Sequence, residues 1–303
     1  MKRFLITIVL LSVALLLTLS LGEYTVRQIP NPYKIKNHQM IRHADDTEII
    51  FLGSSHAYYA IRPQYIPHSF NLANTSQNLQ YDYFMLEKYG NMCKGLKTVV
   101  LPISYFTFFA YDIEDTELWW YAINYKIYMD CDYHSDFSKY NLELSHPAVF
   151  RGKLKSKFFN TENNICDSLG WGTNHSLASR SSTWETLYAI SAAKRHTTDW
   201  AYLDKNISYF KKIVSYCRTH SLSLVLLTTP TWHTYYENLN KKQLDKMYST
   251  IAQMQKEYDL PYYDYMRDSR FTNKDFYDGD HLNEFGATKF SRMIKQEIFD
   301  KLQ

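Results

Sequence analysis

The chain has 303 residues, of which 45% are hydrophobic and 17% aromatic, enough for one large domain or one domain with an insertion around a buried core. The formal net charge is only +3, and no long basic run follows the first residues. Nothing in the composition therefore argues for a nucleic-acid partner.

Met1-Lys2-Arg3 is basic, and the apolar run that follows over residues 4–21 is interrupted only by Thr7, Ser12, Thr18 and Ser20. Residues 1–22 read as a signal peptide or an N-terminal membrane anchor. Ser20 and Gly22 allow cleavage after Gly22, which would give a secreted chain. The length of the run and the lack of Ala-x-Ala favour an uncleaved anchor. The basic start places the residues after Glu23 outside the cytoplasm, facing the periplasm or the cell exterior. Residues 23–46, with Pro30, Pro32 and several charges, read as a connector.

From residue 47 the pattern changes. Residues 47–52 form a short apolar run ending at Gly53, which predicts a buried strand and a sharp turn. Residues 69–73 predict a second strand. Asn74 and Gln77 then provide a capping-box pair for a helix running toward Tyr89. Residues 97–103 predict a third strand. Residues from about 105 to 199 break this rhythm and read as an aromatic-rich insertion, carrying Phe106, Phe108, Phe109, Trp119, Trp120, Tyr121 and Tyr125. Alternation resumes with a helix over 207–218, a strand over 222–227, a helix over 241–258, a strand over 261–264 and a helix from Asn283 to Phe299. Strands alternating with helices predict a parallel sheet covered on both faces, with the 47–52 strand near its centre. Cys93, Cys131, Cys166 and Cys217 show no zinc-type spacing. They are either free buried thiols or, in an oxidising compartment, partners in disulfides.

In an open α/β sheet, ligands bind beyond the carboxyl ends of the strands. The groups expected there are Gly53-Ser54-Ser55-His56, Asn74 to Ser76, Ser104, Trp232-His233, and Asp278-Gly279-Asp280-His281. A serine on a tight turn after a strand can be a nucleophile if a histidine activates it and a carboxylate orients that histidine. Asp278 and His281 are three apart, a spacing that on a helical turn puts both on one face. The Ser55 N–H and amides near Ser76 are candidate oxyanion donors. Each half alone is a common pattern, a strand terminator or a surface cap. Their placement at opposite ends of one α/β sequence favours chemistry. No metal cluster and no phosphate-binding glycine loop is legible, so neither a metal nor another cofactor is expected.

Phe51-Leu52-Gly53-Ser54-Ser55-His56 resembles the first block of the SGNH (GDSL-like) hydrolase superfamily. The stretch from Asp278 to Ala287, with Asp-x-x-His followed by a helix, resembles its last block. The resemblance covers residues 47–303 except the insertion. It implies a three-layer α/β/α sandwich of flavodoxin-like type, with Ser55 as nucleophile, His281 as base and Asp278 as its orienter. The N-terminal anchor and the Gly-Ser-Ser resemble envelope proteins of D-alanylation and alginate acetylation. They imply acyl or acetyl ester chemistry on a cell-envelope glycan, as esterase or O-acyltransferase, and admit a membrane-bound acyl-transfer partner.

The chain departs from the family pattern in three places. Ser54 stands where an Asp is usual, residues 73–76 contain no Gly, and Ser104-Tyr105-Phe106 contains no Asn. Asn74 or Ser104 could replace the missing donor. A catalytically silent accessory protein that binds a glycan or a membrane partner is the alternative. A purely structural role leaves the Asp-x-x-His block unexplained. His56 is expected to be structural or to contact substrate. Asp280 competes with Asp278 as orienter. Trp232 and His233 are substrate-contact candidates, and Arg62 and Arg151 are solvated or meet an anion.

Overall fold

The computed structural model describes residues 1–131, 133–134, 138–159 and 166–302. Residues 132, 135–137 and 160–165 of the expected insertion lie outside the described residues. Five strands form one sheet: β1 (Ile49–Phe51), β2 (Ser69–Asn71), β3 (Thr98–Pro102), β4 (Ser223–Thr228) and β5 (Tyr262–Asp264). They pair in parallel in the order β2-β1-β3-β4-β5. β1 is thus interior, one place from the central β3. This is the flavodoxin-like order, in which the chain reverses its direction of travel across the sheet between β1 and β3.

Helices occupy the connections: α1 (Lys2–Arg27), α2 (Pro32–His43), α3 (Ser55–Ala60), α4 (Leu79–Gly90), α5 (Tyr121–Asn124), α6 (Pro147–Phe159), α7 (Ala189–Arg195), α8 (Leu203–Thr219), α9 (His233–Glu237), α10 (Lys241–Tyr258) and α11 (Glu284–Ile294). Side chains alternate across each strand, which divides the core in two. Ile50, Leu52, Val99, Leu101, Leu224 and Leu226 face α4, α8 and α10, packing on Met85, Phe210 and Ile251. Phe51, Val100, Val225 and Leu227 face α3 and α11, packing on Ala57, Phe290 and Ile294. The three-layer sandwich follows from this alternation.

Several local expectations change. The helix after β2 begins at Leu79, not after Asn74. Ser76 takes a left-handed φ of 58°, which stops a helix there, and Asn78 accepts the Tyr81 N–H as the actual cap. The segment read as a connector contains α2, which buries Tyr33, Lys36 and Met40. Proline at its first turn and Asn31 accepting the Lys34 N–H start it. The buried Lys36 Nζ donates to the Ala73 carbonyl. In the C-terminal helix, α11 ends at Ile294 and a π-helical turn continues to Phe299. All four cysteines are free and buried.

The described part of the insertion adds short helices and turns and no strand to the sheet. Many of its aromatic residues, among them Tyr105, Phe108, Phe109 and Tyr125, are buried in the main core. The apolar stretch of helix α1 is unburied, and the helix is long and apolar enough to cross a membrane. It continues unbroken through Gly22 and is tied down at its end. The Glu23 carboxylate accepts the Glu143 and Leu144 N–H groups at 3.0 Å each and the Arg27 Nε at 2.7 Å.

Gly286 lies in the first turn of α11, where a Cβ would sit 2.0 Å from the Asp275 carbonyl oxygen. Gly286→Ala is expected to cost about 1–3 kcal/mol of stability through overpacking. A chemical-denaturation midpoint equal to that of the parent chain would show that this approach is not tight.

Candidate active site

The turn after β1 sets the site. Gly53 has φ +112°, a conformation natural to glycine and strained for other residues, and a Cβ there would meet Ala57 Cβ at 3.3 Å and Pro102 Cδ at 3.4 Å. Its N–H donates to Asp82 Oδ1 at 2.7 Å, and Gln77 Nε2 donates to the same oxygen at 2.7 Å. Burial pushes the Asp82 carboxyl up to about 7, against the pull of those two donors. The sharp turn places Ser54 as cap of α3, accepting the His56 N–H at 3.4 Å, and Ser55 as the first helical residue. The Ser55 N–H, at the first position of the helix, therefore has no intrahelical acceptor.

The opposing groups come from the loop before α11. Phe276 and Leu282 form an antiparallel bridge that pinches this loop at its base. Asp278 Oδ1 accepts the backbone N–H groups of Asp280 and His281, at 3.1 and 2.9 Å. Asn283 caps α11 through Phe285 and Gly286 N–H and ties back to the Lys274 and Phe276 carbonyls. Asp278 and His281 thus meet in a tight loop and not on a helical face. His281 Nδ1 is 2.9 Å from Asp278 Oδ1, and its Nε2 is 2.9 Å from Ser55 Oγ.

Asp280 does something else. It is buried, with Oδ2 3.0 Å from His56 Nε2 and Oδ1 3.6 Å from His281 Nδ1, so Asp278 holds the closer bond to His281. His196 Nδ1 lies 3.8 Å from the same Asp280 carboxylate and 2.8 Å from the Tyr235 hydroxyl. Burial opposes charge on His281, but the fields of Asp278 and Asp280 and the Asp278 hydrogen bond outweigh it and hold the imidazole up at about 9. Burial dominates for the other rings. It lowers His56 despite Asp280, and takes His196 to about 3. His175, stacked between Tyr59 and Tyr277 with ring centroids 3.4 and 4.0 Å away, falls to about 2 for the same reason. Burial also opposes charge on Asp280, but His281, His56 and His196 hold it well below the usual carboxylate range.

A cavity of about 220 Å³ opens onto Ser55. Ser54, Ser76, Phe106, Ile113, Leu118, Arg195 and His196 contribute to its walls. Part of the insertion therefore borders the site. Ser76 lines the cavity in the left-handed conformation that a glycine would take without penalty. Asn74 is turned inward, its Nδ2 bonded to the Leu72 carbonyl at 3.2 Å and Gln77 Oε1 at 3.0 Å. Ser104 is buried, its N–H held by Thr107 Oγ1, and it is not in the wall of this cavity. Trp232 and His233 lie behind the 278–281 loop. The Trp232 N–H donates to the Gly279 carbonyl, its indole to Glu185, and His233 sits between Glu185 and Glu237. Arg62 is structural, bonded to Thr288 Oγ1 and stacked on Trp171, whereas Arg151 is exposed on α6. Arg195, His196 and His175 had no motif to mark them, because the insertion has no period from which facing residues can be read.

Among the described residues, His56, Asp280 and His281 form one group whose ligand atoms all lie within 4.8 Å. His56 Nε2 is already on Asp280, while His281 is bonded at both nitrogens, to Asp278 and to Ser55. All three members of the set are thus already hydrogen-bonded within the protein.

No family model and no curated protein matches the sequence. Similar solved structures include a protein described as an acylhydrolase from Bacteroides fragilis, at 11% identity and TM-score 0.39, covering 93% of this chain and 95% of that one. A GDSL-like lipase from Bacteroides thetaiotaomicron is similar at 9% identity and TM-score 0.44, covering 89% and 98%. A protein described as a platelet activating factor from Streptococcus pneumonia gives 11% identity and TM-score 0.44, covering 95% and 98%. Likeness at this level says nothing of activity.

The charge balance makes a direct prediction. NMR titration of the full chain should find the His281 imidazole titrating near 9, and Asp278→Asn should move it downward. Its folded value lies above the ordinary 6.5, so its contribution to stability is complete below 6.5 and is lost as pH rises through about 9. A His281 titration at or below 6.5 would contradict the assigned field.

Proposed function

We propose that this chain is an SGNH-type serine esterase or O-acyltransferase acting on acyl or acetyl esters of a cell-envelope glycan. The observation that carries the reading is the relay from Ser55 Oγ to His281 Nε2 and from His281 Nδ1 to Asp278, with 2.9 Å at each step. Those separations already lie within the roughly 2.6–3.2 Å of a productive proton transfer.

In this reading Ser55 Oγ attacks the ester carbonyl as His281 Nε2 takes its proton. The Asp278 carboxylate fixes the tautomer and stabilises the imidazolium that forms. The developing oxyanion meets the Ser55 N–H at the start of α3 and the backbone at Ser76. His281 then returns the proton to the leaving alcohol. Water completes an esterase cycle, whereas a sugar hydroxyl completes a transferase cycle. The uncharged His56 and His196 beside Asp280 keep the floor of the site in place without competing for the proton. Helix α1 would hold the domain at a membrane, with the site outside the cytoplasm and access to a membrane-bound acyl donor.

The alternative, a catalytically silent accessory protein, is favoured by one observation. The side chains of Asn74 and Ser104 are not in the wall of the Ser55 cavity, so no side-chain oxyanion donor from them is at hand.

A fluorophosphonate probe discriminates the two, since it labels an activated serine. Ser55→Ala and His281→Ala should abolish labelling and reduce ester turnover by about 10⁶-fold, and Asp278→Asn by about 10⁴-fold. Ser54→Ala should keep its label while losing about 1 kcal/mol of cap stability. Wild-type chain that neither labels nor turns over a simple acetyl ester would leave the accessory reading standing.

The reactive base must be neutral. kcat/KM should therefore rise with pH through about 9 in the parent chain and level off at lower pH in Asp278→Asn. A profile that is flat between pH 7 and 10 would remove His281 from the base role.

A further inference from the structure

The loop at residues 74–77 borders two cavities. Ser76 and Gln77 line the one at Ser55, whereas Asn74 and Thr75 line a second, of about 160 Å³. Around this second cavity stand Tyr33, Tyr58 and Asn74, at 4%, 1% and 1% exposure. Among the described residues, the Tyr58 hydroxyl and Asn74 Oδ1 are buried with no hydrogen-bond partner. The Tyr33 hydroxyl is paired with that of Tyr125, which itself donates to Gln77 Oε1 at 2.8 Å. Buried polar groups are seldom left unpaired, and two beside one cavity indicate a ligand that brings its own donors and acceptors.

The rest of the wall narrows the ligand's chemistry. Burial pushes the Tyr33 and Tyr58 phenols upward, so both keep the proton and can donate as well as accept. Asn74 Oδ1 can only accept. The rings of Trp120 and Tyr121 stack at 4.0 Å and remain partly exposed, which provides an apolar face. No lining residue is a carboxylate. The lining cation, Lys153, is 2.7 Å from both Glu143 oxygens. The cavity is therefore suited to an uncharged molecule with an apolar face and several hydroxyls at its edge.

We infer that this second cavity binds a neutral pyranose ring of a glycan, stacked on Trp120 and hydrogen-bonded by Tyr58 and Asn74. The inference rests on the glycan part of the reading above and gives that glycan a seat beside the loop it shares with Ser55. Binding there does not require Ser55 to react.

The test uses the full chain in a sugar-free detergent, with cellotriose, chitotriose and maltotriose as probes. Binding is read by calorimetric titration and by saturation-transfer NMR. At least one of the three should bind saturably. Trp120→Ala and Tyr58→Phe should each weaken that binding about tenfold, while fluorophosphonate labelling of Ser55 persists. Tyr58→Phe keeps the ring and guards against a Trp120→Ala variant that fails to fold. Saturable binding in a chain that does not label upholds the site and sinks only the enzyme reading. No binding of any of the three sugars, or binding that both variants leave intact, overturns the inference.

Discussion

The hydrogen bond from the Gly53 N–H to the buried Asp82 carboxylate organises this molecule. It fixes a backbone turn at φ +112° immediately after β1, where a Cβ would press on Ala57 and Pro102. From that turn α3 starts at once, with Ser55 as its first residue beyond the end of β1. Gln77 binds the same carboxylate, and through it the loop after β2 is held against the loop after β1. That loop in turn forms walls of both cavities. Replacing Gly53 or Asp82 would therefore disturb the position of Ser55 and the neighbouring walls together.

The second organising feature is the pair of carboxylates on one four-residue loop. Asp278 faces a histidine that is bonded to Ser55, while Asp280 faces His56 in the interior. Both carboxylates act on His281, which is raised, while His56 and His196 are lowered because burial outweighs a single carboxylate shared between them. Environment alone separates the roles of otherwise similar imidazoles. Trp232, bonded to the Gly279 carbonyl, steadies this loop from behind, which accounts for a residue that reads in sequence as a substrate contact.

The N-terminal helix and the domain are continuous through Glu23, whose carboxylate binds two backbone amides of the insertion. Helix α2 then packs Lys36 beneath the end of β2, and its Tyr33 reaches the second cavity. The insertion adds Trp120 and Tyr121 to that cavity and Phe106, Ile113 and Leu118 to the other. Segments that looked peripheral in sequence therefore supply much of the surface around Ser55.

The sequence by itself determined whatever depends on near neighbours. Apolar runs marked β1, β3 and β4, the interior strands, which are mostly buried and so read as nearly continuous apolar stretches, whereas the edge strands β2 and β5 are short and mixed and were marked by their place between turns and helices. Lys241–Tyr258 shows the 3.6-residue pattern of a helix with one buried side, and its bounds were legible to the residue. Gly53 ahead of Ser55 and the Asp278-x-x-His281 spacing marked candidate chemistry, since a tight turn and a bonded pair three apart are local facts. Tertiary structure alone decided the rest. Ser55 and His281 are 226 positions apart, and His56 and Asp280 are 224 apart, so no local pattern encodes their contact. The start of α4 moved to Leu79 because the Asn74 side chain bonds Leu72 and Gln77 instead of capping a helix. The 23–46 segment became structure because Tyr33, Lys36 and Met40 find partners that exist only after the sheet has formed. The chain writes its elements locally, but burial and electrostatics, which choose among its histidines and carboxylates, act between surfaces that only folding brings together.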